Sequence, residues 1–526
     1  MKAGDSKATQ RYSWNDRVLL AGLFALLMAV IVWRAAVTED AYITFRVVDN
    51  AINGYGLRWN VHERVQAYTN PLWMLLHIPL YALWDNVFYI TLFLSFLCTV
   101  LALTISVRTV KAPASAAAAL LLLPLTISMS FTEYSTSGLE NPLTHLLFAC
   151  FGWAVLRATP ERFWLYVSTF SALSLVNRLD TVVFYGPILL CLALARRQTL
   201  RIKQCLIGAL PFVGWELFSL FYYGFPFPNT KYAKLDGGID QIEYIVNGVR
   251  YLRNLVALDV TSAVYAAAAV FALPVYKVFV VKDRQFASTG LLYFSLGILL
   301  YSLYIIYVGG TRGLGRFWSF PVFASAWLLY AALGNALNRI ALIALIGALI
   351  ATWGAYPDDF LRRVCRGCFK YVDAESISLR GALAGTKVLP EVERTRRPVV
   401  MVGAGIGTPG YTGGPSKIIV DTNGLADPLL ARLPSKPRKR LFTGHLKREV
   451  PMGYVHAIST GSLEEMDSAL AQYYEKLRLI VSGDLFDGKR IYEIINFNLG
   501  RYDYLLEQYI DRRNRGWSDE DAEYDP

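Results

Sequence analysis

Two adjacent carboxylates, Glu39 and Asp40, open a polar segment directly after the first long apolar run of the chain. A carboxylate can act as the general base that removes a proton from a hydroxyl nucleophile. Tyr42, Phe45 and Val48 then follow at helical spacing, which predicts an amphipathic helix lying along a membrane interface. Asp40 would stand at the N-terminus of that helix, so an N-capping role remains open beside a catalytic one.

Four basic residues lie close to the ends of later apolar runs: Arg178, Lys231, Lys234 and Arg316. Arg and Lys form charge-assisted hydrogen bonds to phosphate, and they can stabilise the charge of a departing phosphate group. Long basic side chains near the end of a membrane span also extend to the aqueous surface without any ligand. These four residues are therefore candidates for binding a phosphate, with interfacial anchoring as the alternative for each.

Three polar residues of the same regions have the side chains that bind sugar hydroxyls, namely Glu140, Asp180 and Asn229. Asn229 follows Pro228, where an asparagine is also typical of a turn. A sugar-binding role and a turn-forming role for Asn229 therefore both remain open.

The composition indicates a membrane protein. Of 526 residues, 54% are hydrophobic and 18% are charged, whereas soluble proteins have roughly 25% charged residues. Apolar residues are concentrated before about Trp353, and the later sequence has the charge density of a soluble domain. We therefore predict a transmembrane domain over residues 1–355 and a mixed α/β soluble domain over residues 356–526.

Apolar runs and loop charges together predict the topology. The stretch 71–84 has fourteen residues, which suits an interfacial or re-entrant segment better than a span. When it is left out, every loop placed in the cytoplasm is basic, as orientation in the membrane requires. The polar loops and the C-terminal domain then lie on the periplasmic or extracytoplasmic side of a multi-pass cytoplasmic-membrane protein. The eleven predicted spans are near 18–37, 87–107, 113–130, 142–157, 163–177, 181–195, 204–223, 258–281, 287–308, 318–334 and 340–355.

Several other functions find little support. The net charge of +11 belongs largely to loops, and no basic run alternates with aromatic residues, so nucleic-acid binding is not expected. The histidines have no ligand spacing, although a divalent ion held by carboxylates remains open. Cys365 and Cys368 form a single pair, as a local disulfide or as two thiols. The glycine-rich segment 402–407 resembles a dinucleotide loop, but Pro409 and Gly410 should interrupt the helix that such a loop needs.

Short motifs along most of the chain resemble the arabinofuranosyltransferases, which are multi-spanning GT-C type enzymes that use a polyprenyl-phosphate sugar as donor. The family includes mycobacterial cell-wall enzymes and a pilin-modifying enzyme of Pseudomonas. One departure is Thr311, which stands where the family has an acidic residue. In chain order the motifs are EDAYITFR (39–46), NGYGLRWN (53–60), ERVQAYTNPLW (63–73), STSGLENP (135–142), RLD (178–180), PNTKYAK (228–234), GG…RF (309–317), GLADPLLARLP (424–434) and GH…REVPMGY (444–454).

The resemblance implies that Asp40 is the catalytic carboxylate and that Glu39, at a position that is often Asp, has a secondary role. It also implies substrate contacts for the first-loop residues Arg46, Tyr68 and Asn70. The implied donor is a lipid-linked arabinofuranosyl residue or a similar sugar, and participation of a divalent cation remains open. The implied acceptor is a cell-envelope glycan or protein, such as a pilin, a lipopolysaccharide or a cell-wall polysaccharide. A GT-C enzyme for another lipid-linked sugar, and a transporter or flippase of a lipid-linked glycan, are the alternatives.

Overall fold

The computed structural model describes residues 12–235, 237–283, 286, 290–311, 315–337, 343, 345–347, 376–394, 399–436 and 441–514. The predicted domain boundary after residue 355 lies outside these residues, and so do Cys365 and Cys368.

Most of the described chain up to residue 337 is helical. A short strand, β1 (Ala36–Val37), follows the first helix. The helices are α1 (Trp14–Arg34), α2 (Ala41–Ile52), α3 (Pro71–Leu83), α4 (Val87–Thr109), α5 (Ala114–Ile127), α6 (Met129–Tyr134), α7 (Asn141–Arg157), α8 (Phe163–Asn177), α9 (Val182–Ala195), α10 (Ile202–Tyr222), α11 (Asn229–Leu235), α12 (Gln241–Leu258), α13 (Val260–Val280), α14 (Leu291–Tyr307) and α15 (Ser319–Leu333).

Four of these helices, α1, α4, α10 and α13, are long and apolar enough to cross a membrane. These helices agree with the predicted class of helical membrane protein. The first ten predicted spans each coincide with a helical segment, but several of these segments have only 10–17 residues. Most of the last predicted span lies outside the described residues, so the number eleven and the sidedness stay predictions.

The helical part has an aromatic core. Phe148 on α7 is fully buried, and its ring centre lies 5.4 Å from that of Trp327 on α15 and 5.8 Å from that of Phe294 on α14. Gly152, one turn after Phe148, lets the indole of Trp327 approach the backbone of α7. Small residues permit such close contact between helices in a membrane, where packing rather than the hydrophobic effect holds helices together.

The first loop is more enclosed than the sequence suggests. The helix predicted after Asp40 is present as α2, but both its apolar and its polar sides are buried from Ala41 to Asn50. It lies between α3 and a helix of the C-terminal region instead of along an interface. The predicted short segment at 71–84 is the helix α3, which is also partly buried.

The C-terminal region contains both helices and strands. Its short strand β2 (Ile377–Ser378) pairs with β1 in antiparallel register, and β3 (Val399–Gly403) pairs with β4 (Lys417–Asp421) in parallel register. The helices are α16 (Leu379–Leu383), α17 (Gly407–Gly413), α18 (Tyr454–Thr460), α19 (Ser468–Ser482), α20 (Gly488–Asn498) and α21 (Asp503–Asn514). Tyr473, Leu477 and Ile480 of α19 belong to an apolar core to which Val65 and Phe225 of the N-terminal region also contribute.

The contact at Gly152 predicts opposite effects of alanine at two helical glycines. A Cβ at Gly152 would lie 2.4 Å from the Trp327 ring, so Gly152→Ala should destabilise the protein by about 1–3 kcal/mol. A Cβ at Gly214 of α10 meets no atom within 4 Å, so Gly214→Ala should leave the melting temperature in detergent unchanged or raise it. Equal melting temperatures for the two variants would contradict the packing described here.

Candidate functional site

A cavity of about 400 Å³ lies where the end of α8, α11, the end of α14 and the segment before α15 meet. All four cations predicted to hold phosphate, Arg178, Lys231, Lys234 and Arg316, are part of its wall. Most of the remaining wall is apolar, and it includes Leu179, Val182, Val183, Phe227, Val308 and Phe317. The volume is that of an ordinary small-molecule site, and the wall suits an amphiphile with an anionic group.

Helix ends place the cations around this cavity. Arg178 is the residue directly after α8, and Arg316 stands three residues before α15. Lys231 and Lys234 are three residues apart on the single short helix α11, so they share one face of it. Residues separated by well over a hundred positions in sequence are thereby brought to one wall.

Arg178 is fixed by two carboxylates. Its Nε donates a hydrogen bond to Asp180 at 2.9 Å, and its terminal nitrogens form ion pairs with Asp180 and with the fully buried Glu140. The guanidinium carbon lies 5.0 Å from the ring centre of Phe317. Asn70 donates to the second oxygen of Glu140 at 2.9 Å. Charges removed from water need such partners, so Arg178 faces the cavity in one defined orientation.

Asp40 forms an ion pair with Arg316, whose Nη1 lies 2.5 Å from its carboxylate. The Asp40 side chain makes no capping hydrogen bond to α2, so its carboxylate is not used as the N-cap that the sequence left open. Burial raises the pKa of Asp40, but Arg316, Lys234 and His445 outweigh it and hold the pKa below its ordinary value. Asp40 is therefore an ionised carboxylate at neutral pH.

Lys234 is close enough to the cations Arg178 and Arg316, and to the carboxylates Asp40 and Glu140, for their charges to act on it. Burial and, to a smaller extent, the charge of Arg316 lower the pKa of Lys234 to about 8, although Asp40 and Glu140 oppose this change. A Cβ at Gly444 would lie 3.6 Å from its ammonium nitrogen, so the Gly444–His445 turn closes over this lysine. Lys234 thus titrates near neutral pH at the wall of the cavity.

Glu39 points away from the cavity. Its carboxylate accepts hydrogen bonds from the backbone N–H groups of Gly407 and Thr408, at the N-terminus of α17. Pro409 and Gly410 were expected to interrupt a helix after the glycine-rich segment, but both lie within α17. That expectation is wrong. The glycine-rich turn offers its N–H groups to Glu39, which occupies the place of an anionic ligand.

Three other predicted substrate residues do not line the cavity. Arg46 and Asn229 connect the N-terminal and C-terminal regions, whereas Tyr68 has its partner within the N-terminal region. Arg46 is buried, donates to the carbonyl oxygen of Lys417 at 2.5 Å and stacks on Trp59 at 4.1 Å. The Tyr68 hydroxyl lies 2.7 Å from that of Tyr223. The amide of Asn229 donates to the carbonyl oxygens of Gly424, Leu425 and Asp427 at 2.8–3.2 Å. Their direct contact with substrate stays a prediction.

Some residues of the site were not singled out from the sequence. Phe317, Tyr304 and Thr443 line the cavity, and Thr69 does so beside Asn70. Phe317 and Thr69 lie inside quoted motifs and Thr443 directly precedes one, but the sequence assigned no role to these residues. Within the described part of the chain, no group of three or more His, Cys, Asp or Glu side chains is placed to hold a metal ion.

No protein-family model, curated protein or solved structure gives a significant match to this chain. The geometry of the cavity and the motifs in the sequence are therefore the indications of function.

The position of Lys234 predicts pH-dependent binding of an anion. A lysine is charged below its pKa, so affinity for a short-chain polyprenyl phosphate should fall as the pH rises through about 8. Loss of one charge-assisted bond of about 1.5–3 kcal/mol corresponds to roughly 10-fold or more in affinity. The phosphate keeps its charge over this range because its second pKa is about 6. Titration calorimetry in detergent measures the effect.

Lys234→Arg is the matched control because arginine stays charged up to a pH of about 12. Its affinity should be flat over the same range. An identical pH dependence in both proteins would assign the effect to another group.

Proposed function

We propose that this protein is an integral membrane glycosyltransferase that uses a polyprenyl-phosphate sugar as its donor. The acceptor is a glycan or protein of the cell envelope, outside the cytoplasmic membrane. The observation that carries the proposal is the cavity, whose wall combines four cations with apolar side chains and reaches Asp40 through Arg316. The sugar, arabinofuranose or a similar one, follows from the resemblance of the motifs.

The cavity wall matches the two chemical parts of such a donor. Arg178, Lys231, Lys234 and Arg316 supply positive charge for a phosphate. Val182 and Val183 of α9 are part of the wall, and Val182 is exposed. These apolar residues are placed to contact the first part of a lipid chain while the phosphate stays with the cations.

Asp40 is the base of the proposed reaction. The acceptor hydroxyl gives its proton to Asp40, its oxygen forms a bond to the anomeric carbon, and the bond from that carbon to the phosphate oxygen breaks. The electron pair of this bond leaves with the polyprenyl phosphate, whose charge the cations stabilise. Glu140 and Asp180 hold Arg178 in place for this purpose.

Arg316 connects donor binding with the strength of the base. In the donor-free protein it lowers the pKa of Asp40, which makes this carboxylate a weak base. A donor phosphate beside Arg316 competes for the same guanidinium. As that contact forms, the pKa of Asp40 rises, and the base becomes effective only when the donor is present.

Asp40→Asn tests this role. Asparagine keeps the shape of the side chain but cannot accept the proton of the acceptor, so kcat should fall by roughly 10²-fold or more. Donor affinity should remain at least as high, since the variant removes a competitor for Arg316. Glu39→Gln is the neighbouring control and should have a milder effect, because Glu39 contacts α17 and not the cavity. Normal turnover of purified Asp40→Asn would exclude Asp40 as the base.

A further inference from the structure

The helix α20 in the C-terminal region has two apolar sides. One side is buried, with Ile494 and Phe497 in the core formed with α19. On the other side a stripe of exposed apolar residues recurs at helical spacing, and Phe486 precedes it with 80% of its surface exposed. The stripe consists of Ile491, Tyr492, Ile495 and Leu499. An apolar face of this kind usually marks a place of contact.

The spanning helix α10 has an exposed stripe of its own. Leu206, Leu210, Val213, Leu217 and Phe221 lie on one face of it and are exposed. Only 11% of the apolar stretch of α10 is buried inside the protein, although the helix is long enough to cross a membrane. This face of α10 is therefore the one that lipid covers.

The two stripes form one continuous surface. The ring centres of Phe221 on α10 and Phe486 before α20 are 5.4 Å apart. Arg490 of α20 donates to the carbonyl oxygen of Tyr222 at 3.0 Å, and Asn498 donates to that of Gly224 at 2.8 Å. These bonds fix α20 at the level where α10 ends, which is the level of a membrane surface.

We propose that α20 and Phe486 form a membrane-docking surface, which inserts its apolar stripe into the leaflet where α10 ends. An amphipathic helix of this type lies about 5–10 Å deep at the boundary between headgroups and acyl chains. Tyr492 suits that boundary because tyrosine has an apolar ring and a polar end. Lys489 and Arg501, both exposed near the ends of the stripe, are placed to contact anionic headgroups.

Docking at this surface would also fix one wall of the cavity. The buried face of α20 contacts Phe225 through Phe497, with ring centres 5.8 Å apart. The guanidinium of Arg432 stacks on Phe225 at 4.3 Å. Phe225 shortly precedes Phe227 and Lys231 in the sequence, and both of these residues are part of the cavity wall. The membrane surface thus positions the cation-bearing helix α11, whichever reaction the cavity supports.

A depth-sensitive fluorophore tests the docking surface in the full-length protein. The Ile495→Cys variant carries an environment-sensitive label. Each nanodisc holds one copy of the protein in a bilayer of phosphatidylcholine and phosphatidylglycerol. Gln472→Cys, at an exposed polar position of α19, is the matched control. The labelled parent chain gives the background from the native cysteines. Some of the lipid has a nitroxide near the headgroup end of its acyl chain.

The label at 495 should emit at shorter wavelength, and the nitroxide lipid should quench it several-fold more strongly than the label at 472. Tyr492→Cys provides a second reporter with the same expected result. Quenching at 495 and 492 no stronger than at 472 would overturn the proposal. A blue shift that appears only in nanodiscs with two copies of the protein, without quenching by the nitroxide lipid, would also overturn the proposal. The stripe would then be covered by a second copy and not by lipid. Neither readout depends on glycosyl transfer.

Discussion

Charges that are removed from water must be paired, and this constraint organises the centre of the molecule. Glu140 is fully buried on the N-terminal side of α7, and Arg178 reaches it from the end of α8. Arg316, before α15, reaches Asp40 in the first loop. Each ion pair therefore joins elements that are far apart in sequence. The cavity exists because these pairs hold helix ends together without filling the space between them.

The C-terminal region is part of the same construction. Glu39 and Asp40 are adjacent, yet one carboxylate caps α17 while the other pairs with Arg316. Arg448 is buried and donates to the carbonyl oxygens of Ala233 and Asn423, so it links α11 to the C-terminal loops. Thr443 of this region is part of the cavity wall, and the Gly444–His445 turn packs against Lys234 of α11. This region is thus a component of the site and not a separate appendage.

The sequence predicts well those features that depend on hydropathy and on residue type. Long apolar runs identify the helices, and the basic residues near their ends include the four cations that the fold brings to the cavity wall. Roles that depend on a partner far away in the sequence cannot be predicted from hydropathy and residue type. Arg46 and Asn229 are polar residues in apparent loops, and only the fold shows that backbone carbonyls around 417 and 424–427 are their partners. The burial of α2 could not be predicted from the sequence for the same reason, since α17, which packs against it, is far away in the sequence.

The central claim is that the cavity performs chemistry on a lipid-linked sugar, and transfer in detergent tests it most directly. Detergent removes the two compartments that transport requires. The purified protein is mixed with a radiolabelled polyprenyl-phosphate sugar and with envelope glycans and proteins from cells that lack this protein. We predict that the label moves to the glycan or protein fraction while polyprenyl phosphate is released. An unchanged donor in detergent, together with movement of intact donor between the leaflets of vesicles, would contradict the account and indicate a transporter.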